Sequence, residues 1–271
     1  MEVVMEWQVE NKAGESRYVR QWPNSKASWI ALLVHGYGEH IGRYEHVANA
    51  LREVGAAVFG PDHQGHGRSE GERVLIKDFE KVVDDLHQVA QHCRTKYPGV
   101  PMVLIGHSMG GLIAARYAQR HGHGLSAVVL SGPMFGCRPI LEQLAAMDPI
   151  PDIPIDPSTL SRDPSVGQAY AQDPLVWHGP FKRATLQAML AAMDQVQAGP
   201  SLGRLPLLYL HGEADMLVPM PATRLVIERL KGQVFQMKIY SGAMHEIFNE
   251  VNRSEVILDM VAFIRNILGG R

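Results

Sequence analysis

Residues 103–112, Val103-Leu104-Ile105-Gly106-His107-Ser108-Met109-Gly110-Gly111-Leu112, decide the fold. Residues 101–105 form a short apolar run of strand type, and residues 109–120 read as a helix. Between them a G-x-S-x-G turn reverses the chain. Its glycines permit a bend sharp enough to lift the Ser108 hydroxyl above the edge of a sheet. Outward from this unit the same alternation repeats. Residues 28–34, 56–59, 125–130, 205–210 and 234–240 read as further strands, and residues 43–54 as a helix. Phe79, Val82, Val83, Leu86, Val89, Ala90 and Cys93 fall at i, i+3, i+4, i+7, i+10, i+11 and i+14, one face of a long helix. Asp78 is placed to cap it, and Pro98-Gly99 lies just beyond its end. Two β-like stretches, 3–9 and 17–22, precede the pattern. Short apolar strands alternating with helices predict an α/β protein with a mostly parallel central sheet covered by helices on both faces.

The alternation breaks after Gly132. Eight of the 17 prolines lie between Pro139 and Pro180, a density that excludes a regular strand or a long helix there. The expected organisation is therefore one core, 1–132 plus 203–271, with residues 133–202 inserted as a cap or lid. Ile140, Leu141, Leu144, Met147, Ile150, Ile153 and Ile155 cluster in the proline-broken part, which is too interrupted to build a core of its own. Leu186, Met189, Leu190, Met193 and Val196 follow at helical spacing. Two readings stay open for these apolar residues: packing on the α/β core, or an adaptable wall, with Met147, Met189 and Met193 contributing, around one acyl chain.

Composition removes several function classes. The chain of 271 residues has 26 Lys+Arg against 28 Asp+Glu, so no global charge draws it to nucleic acid or an anionic surface. Two cysteines, Cys93 and Cys137, make neither a disulfide framework nor a four-cysteine zinc site. The first residues, MEVVMEWQVENK, carry early acids and no long apolar run, unlike a signal peptide. No stretch has the roughly 20 apolar residues of a membrane span. A soluble, cytoplasmic protein is expected.

A serine hydroxyl becomes a useful nucleophile only when a base takes its proton and a third group orients that base. On a strand–turn–helix elbow the chain order is serine, then acid, then histidine. Strand 205–210 runs into His211-Gly212-Glu213-Ala214-Asp215, and strand 234–240 runs into Ser241-Gly242-Ala243-Met244-His245. Strand ends of a parallel sheet converge at one edge, so Asp215 and His245 are the expected acid and base; Glu213 is the rival acid. His245 is the only histidine after His211. Two backbone N–H groups must face the developing oxyanion. Met109, after the serine, supplies one, and the loop HGYGEH supplies the other, from Tyr37. The 13 histidines show no helical i, i+4 pair beside a glutamate, so no catalytic metal is expected.

HGYGEHIGRY (35–44), GPDHQGHGRSEG (60–71), GHSMGG (106–111), the Asp215 loop and MHE (244–246) together resemble the monoacylglycerol lipases, lysophospholipase-like serine hydrolases of the α/β-hydrolase superfamily. The resemblance spans nearly the whole chain and is weakest in the cap. It implies the α/β-hydrolase fold, hydrolysis of a fatty-acyl monoester of glycerol and no cofactor; contact with a membrane surface is expected from the apolar composition of the cap. It also implies Ser108 as nucleophile, Asp215 as orienter, His245 as base, and Tyr37 with Met109 as oxyanion hole. Glu39 and Arg43 would shape the polar end that holds the glycerol. Tyr37 stands where a small or aliphatic residue is expected, so its ring would reshape the pocket. Other serine esterases, lysophospholipases and a non-catalytic binding protein are the alternatives. Ser108 argues against dehalogenases and epoxide hydrolases, which need an aspartate at the elbow.

Overall fold

The computed structural model describes residues 2–11 and 14–269. The chain opens with β1 (Met5–Glu10), β2 (Ser16–Trp22) and β3 (Trp29–Val34). A 3-10 turn (Ile41–Tyr44) then leads into α1 (Glu45–Glu53), β4 (Ala56–Pro61) and α2 (Phe79–Lys96). Next come β5 (Met102–His107), α3 (Met109–His121), β6 (Ala127–Ser131), α4 (Arg138–Ala146), α5 (Pro164–Gln172) and α6 (Arg183–Ala198). The chain ends with β7 (Leu207–Gly212), α7 (Met220–Leu230), β8 (Phe235–Tyr240) and α8 (Arg253–Gly269). Neither α7 nor α8 is among the helices expected from the sequence.

The strands form one sheet in the order β1-β2-β4-β3-β5-β6-β7-β8. Pairing is antiparallel at β1–β2 and β2–β4 and parallel from β4 through β8. Every residue of β3, β5, β6 and β7 is buried, as helices on both faces require. Side chains of β3 alternate accordingly. Ile30, Leu32 and Val34 join the core with α2 and α3, while Trp29, Ala31 and Leu33 join the core with α1 and α8. All seven apolar residues anticipated on one face of α2 are buried, and Asp78 accepts a hydrogen bond from the Glu80 N–H at 2.9 Å as its cap. This is the α/β-hydrolase fold. Among the described residues no helix is long and apolar enough to cross a membrane.

Between Pro139 and Pro180 the prolines leave only short helices, α4 and α5 of nine residues each, as their density requires. Pro139 and Pro164 each sit in a first turn, where a missing N–H costs nothing. The methionine stripe resolves toward core packing: Leu186, Met189, Met193 and Val196 of α6 are buried in the same cluster as α2 and α3. The open alternative, that Met189 and Met193 form an acyl-chain wall, is not what the fold builds. Residues between α4 and α6 bind the loops at the strand ends. Trp177 donates its N–H to the Gly38 carbonyl at 2.7 Å, and the Leu160 carbonyl accepts from the Glu246 N–H at 2.8 Å. His40 Nε2 meets the Asp173 carboxylate at 2.8 Å.

Candidate active site

The chain turns at Ser108 with φ 55° and ψ −121°, a backbone state that a serine holds only when its surroundings enforce it. The flanking glycines show why no other residue fits. A Cβ on Gly106 would lie 2.3 Å from the Gly110 carbonyl oxygen, and one on Gly110 would lie 2.1 Å from the Val34 carbonyl oxygen. β5, α3 and the end of β3 thus meet too closely for side chains, and the hydroxyl is held at the strand edge.

His245 Nε2 stands 2.9 Å from Ser108 Oγ, and His245 Nδ1 stands 2.7 Å from Asp215 Oδ2. The carboxylate accepts from Nδ1–H, so Nε2 is free to accept the serine proton. All three residues are buried. Burial alone would lower the His245 pKa, but the charge and hydrogen bond of Asp215, with Glu246 and Glu39 nearby, raise it above the ordinary imidazole value. Burial opposes the ionised form of Asp215 too, yet His245 and His211 together hold it below the usual carboxylate range. Asp215 is fixed by its own turn, Oδ1 accepting from the N–H groups of Leu217 at 3.0 Å and Val218 at 2.8 Å. Glu213, the rival acid, is exposed and accepts from the Ser241 hydroxyl and the Gly242 N–H.

The loop after β3 passes close beside the serine. A Cβ on Gly36 would lie 3.2 Å from Ser108 Cβ. Met109 is the first residue of α3, where an N–H has no partner within the helix. The Tyr37 ring lies flat on Phe181, centroids 4.5 Å apart at 9°, and both rings line the cavity. Glu39 holds this loop in place. Its Oε1 accepts from the Gly36 N–H at 2.6 Å and the Tyr44 hydroxyl at 2.7 Å, and its Oε2 pairs with Arg43 at 2.7 Å.

Arg43 stands behind the cavity wall rather than on it. Glu39 lines the cavity, but Arg43 is not among the lining residues, and its guanidinium is taken up by Glu39 and by both oxygens of Glu246. Its effect on the polar end is exerted through those carboxylates. Glu246, 203 residues away in sequence, lines the cavity and was not anticipated from sequence as its partner. Burial opposes its charge, yet Arg43 brings the Glu246 pKa down to about 2. His107 also lines the cavity and was not anticipated. Its ring packs 4.7 Å from that of His245, and burial with that neighbour holds its pKa down to about 3, so it is neutral. Position inside the elbow was the available signal.

Ser108 and His245 open into a cavity of about 400 Å³. Its walls are mainly apolar, from Met134, Leu141, Leu144, Ile155, Leu160 and Val218, while the polar groups of Glu39 and Glu246 lie with the candidate residues. Ile140, Ile153 and Met216 also line it and are exposed at 47%, 65% and 74%. A wider groove of about 920 Å³ lies at the opposite sheet edge, by Trp29, Met102 and Ser126 at strand starts, away from this chemistry. The glycine-flanked histidines tie loops together. His63 N–H donates to His35 Nε2 at 3.0 Å, and His63 Nε2 donates to the His35 carbonyl at 3.1 Å. Chemically, the arrangement can take a proton from a serine hydroxyl beside a slot for an apolar chain.

A family model described as serine aminopeptidase, S33, matches residues 25–252. The monoacylglycerol lipase of Mycolicibacterium smegmatis is 36% identical over 251 residues, covering 89% of this chain and 90% of that one. The monoglyceride lipase of Homo sapiens is 35% identical over 253 residues, covering 89% and 83%. In three dimensions the crystal structure of the Paleococcus ferrophilus monoacylglycerol lipase superposes with a TM-score of 0.79 at 27% identity, covering 94% of this chain and 99% of that one. Fold, elbow and these identities over most of the length agree, and the chain belongs to the monoacylglycerol lipase family of serine α/β-hydrolases.

Proposed function

We propose that this protein hydrolyses monoacylglycerols to a fatty acid and glycerol through an acyl-enzyme on Ser108. His245 Nε2 takes the proton as Ser108 Oγ attacks the ester carbonyl, and Asp215 holds the imidazolium that forms. The Met109 and Tyr37 N–H groups face the oxyanion. As the tetrahedral intermediate collapses, His245 gives its proton to the departing glycerol oxygen. A water molecule then enters, loses a proton to His245, and releases the fatty acid as Ser108 regains its hydrogen. The observation that carries this reading is the Ser108–His245 pair opening at the polar end of a single apolar cavity. One slot suits one acyl chain, and the carboxylates Glu39 and Glu246 suit a neutral polyol as hydrogen-bond acceptors.

Glu39 and Glu246 share one guanidinium, that of Arg43, so the polar end carries two carboxylates against one cation. Asp156, a third carboxylate of the lining, is exposed and caps a turn at Ser158. Residues 133–202 are read as a cap whose exposed apolar rim, Ile140 and Ile153 with Met216 of the core opposite, meets a lipid surface. The test is a rate panel of monoacyl-, diacyl- and triacylglycerols, lysophospholipids, short-chain esters and aminoacyl amides. Monoacylglycerol should be fastest and triacylglycerol poor. A faster lysophospholipid or short ester would move the assignment within the serine esterases.

A further inference from the structure

His211 is a fully buried imidazole at the end of β7, four residues before Asp215. Both ring nitrogens are engaged. Nδ1 lies 2.7 Å from the Tyr209 hydroxyl, and Nε2 lies 2.8 Å from the Val218 carbonyl and 3.1 Å from Asp215 Oδ2. A carbonyl and a carboxylate only accept, so Nε2 bears the proton; Nδ1 then accepts from Tyr209 O–H. The two acceptors at Nε2 thereby select the tautomer, and the Tyr209 phenol holds the other side of the ring.

We propose that His211, its ring held by Tyr209, is a positioning residue that keeps the Asp215 carboxylate in line with His245 and moderates how strongly that carboxylate holds the His245 proton. The proposal rests on the reading of Asp215 as the orienting acid. Three N–H groups donate to this carboxylate, Leu217 and Val218 on Oδ1 and His245 on Oδ2, and His211 Nε2, hydrogen-bonded to the Val218 carbonyl, lies 3.1 Å from the same Oδ2. With both oxygens bound from two sides the group cannot rotate. His211 also grips the far end of the turn through the Val218 carbonyl, and Val218 is a wall of the cavity. One imidazole therefore ties the acid to the wall against which the acyl chain packs. Because Oδ2 is shared, each donor sees less of its negative charge than it would alone. Removing His211 leaves the whole of Oδ2 to His245 and strengthens its hold on the proton.

The experiment compares His211→Phe, Tyr209→Phe and Asp215→Asn with the unaltered protein, following kcat, KM and the pH profile of kcat/KM on a short chromogenic ester. The other ionisable groups facing His245 are His107 on β5, Glu39 after β3 and Glu246 beside it, and Arg224 of α7 faces Tyr209; all are unchanged in these variants. His211→Phe should lower kcat by about 10- to 100-fold, the size expected for losing a hydrogen bond to a charged group, and move the acidic limb to higher pH. Tyr209→Phe should do the same to a smaller extent, and it carries the test if His211→Phe does not fold. A limb that stays or falls in a folded variant overturns the proposal, including where kcat drops, since a merely structural role would lower activity without moving the limb. Near-normal turnover by Asp215→Asn would instead remove the reading on which the proposal rests.

Discussion

Arg43 grips Glu246 across 203 residues of chain with two parallel bonds, Nη1 to Oε1 at 2.6 Å and Nη2 to Oε2 at 2.8 Å. With Glu39 on the same guanidinium, this pairing fastens the loop that carries Tyr37 to the loop that carries His245. Burial of both carboxylates makes it costly to break, because one partner left alone is an uncompensated charge.

Arg43→Met should therefore destabilise the fold by about 3–5 kcal/mol, measured by denaturant unfolding near neutral pH. Its pH dependence should also reverse. In the unaltered protein Glu246 has a lowered pKa, so its contribution is present above the ordinary carboxylate value and lost as pH falls toward about 2. In Arg43→Met a buried carboxylate without its cation should titrate higher than an exposed one. The variant should then lose stability as pH rises from 5 to 8. A variant as stable as the parent, with the same slope, would mean the pairing is incidental.

Asp215→Asn should cost on the order of 10⁴ in kcat, by analogy with the orienting aspartate of serine proteases. Glu213→Gln should change kcat little, since Glu213 bonds to Ser241 and Gly242 at the surface. Steady-state kinetics on one ester ranks them; the opposite ranking would transfer the role to Glu213.

His245 must be neutral to act as base, and Asp215 raises its pKa against the effect of burial. The acidic limb of kcat/KM should thus lie above about 6.5, with activity falling as pH drops through it. The sign for stability is opposite: a raised imidazole favours the folded state below its unfolded value and gives up that contribution as pH rises through the folded one. A limb below about 6, with chemistry rate-limiting, would count against this base.

Charged substitutions at Ile140 and Ile153 should weaken binding to lipid vesicles and long-chain turnover while sparing a short soluble ester. Both residues are exposed at the cavity, whereas Leu144 is half-buried along its wall and Ile150 packs on the core. Vesicle co-sedimentation that is unchanged in the folded double variant would remove the interfacial role of the rim.

Much of the site was legible because its signals are local. The strand, elbow and helix around Ser108 occupy neighbouring residues, and the ends of β7 and β8 reach the same sheet edge by topology, so chain order leads to Asp215 and His245. Arg43 and Glu246 were not legible as a pair, since nothing in either neighbourhood records a partner 203 residues away. Glu39 offered a polar side chain in a motif, but only the fold shows its carboxylate bracing Gly36 and Tyr44. The α6 stripe had a clear period, yet a period does not say whether an apolar face meets a core or a cavity. Its contact with α2 and α3 decides for the core. In α8, Val256, Met260, Phe263 and Ile264 are buried at helical spacing, so that helix was within reach of the pattern alone.

The proposed cleavage passes through a covalent bond to Ser108. Its most direct test is intact-protein mass spectrometry of the enzyme quenched in acid during turnover of a long-chain monoacylglycerol. An added mass equal to the fatty acid less one water is expected, located by peptide mapping at Ser108 and absent from Ser108→Ala, which should also lose turnover. Normal hydrolysis by Ser108→Ala, or an acyl group mapped to another residue, would contradict it.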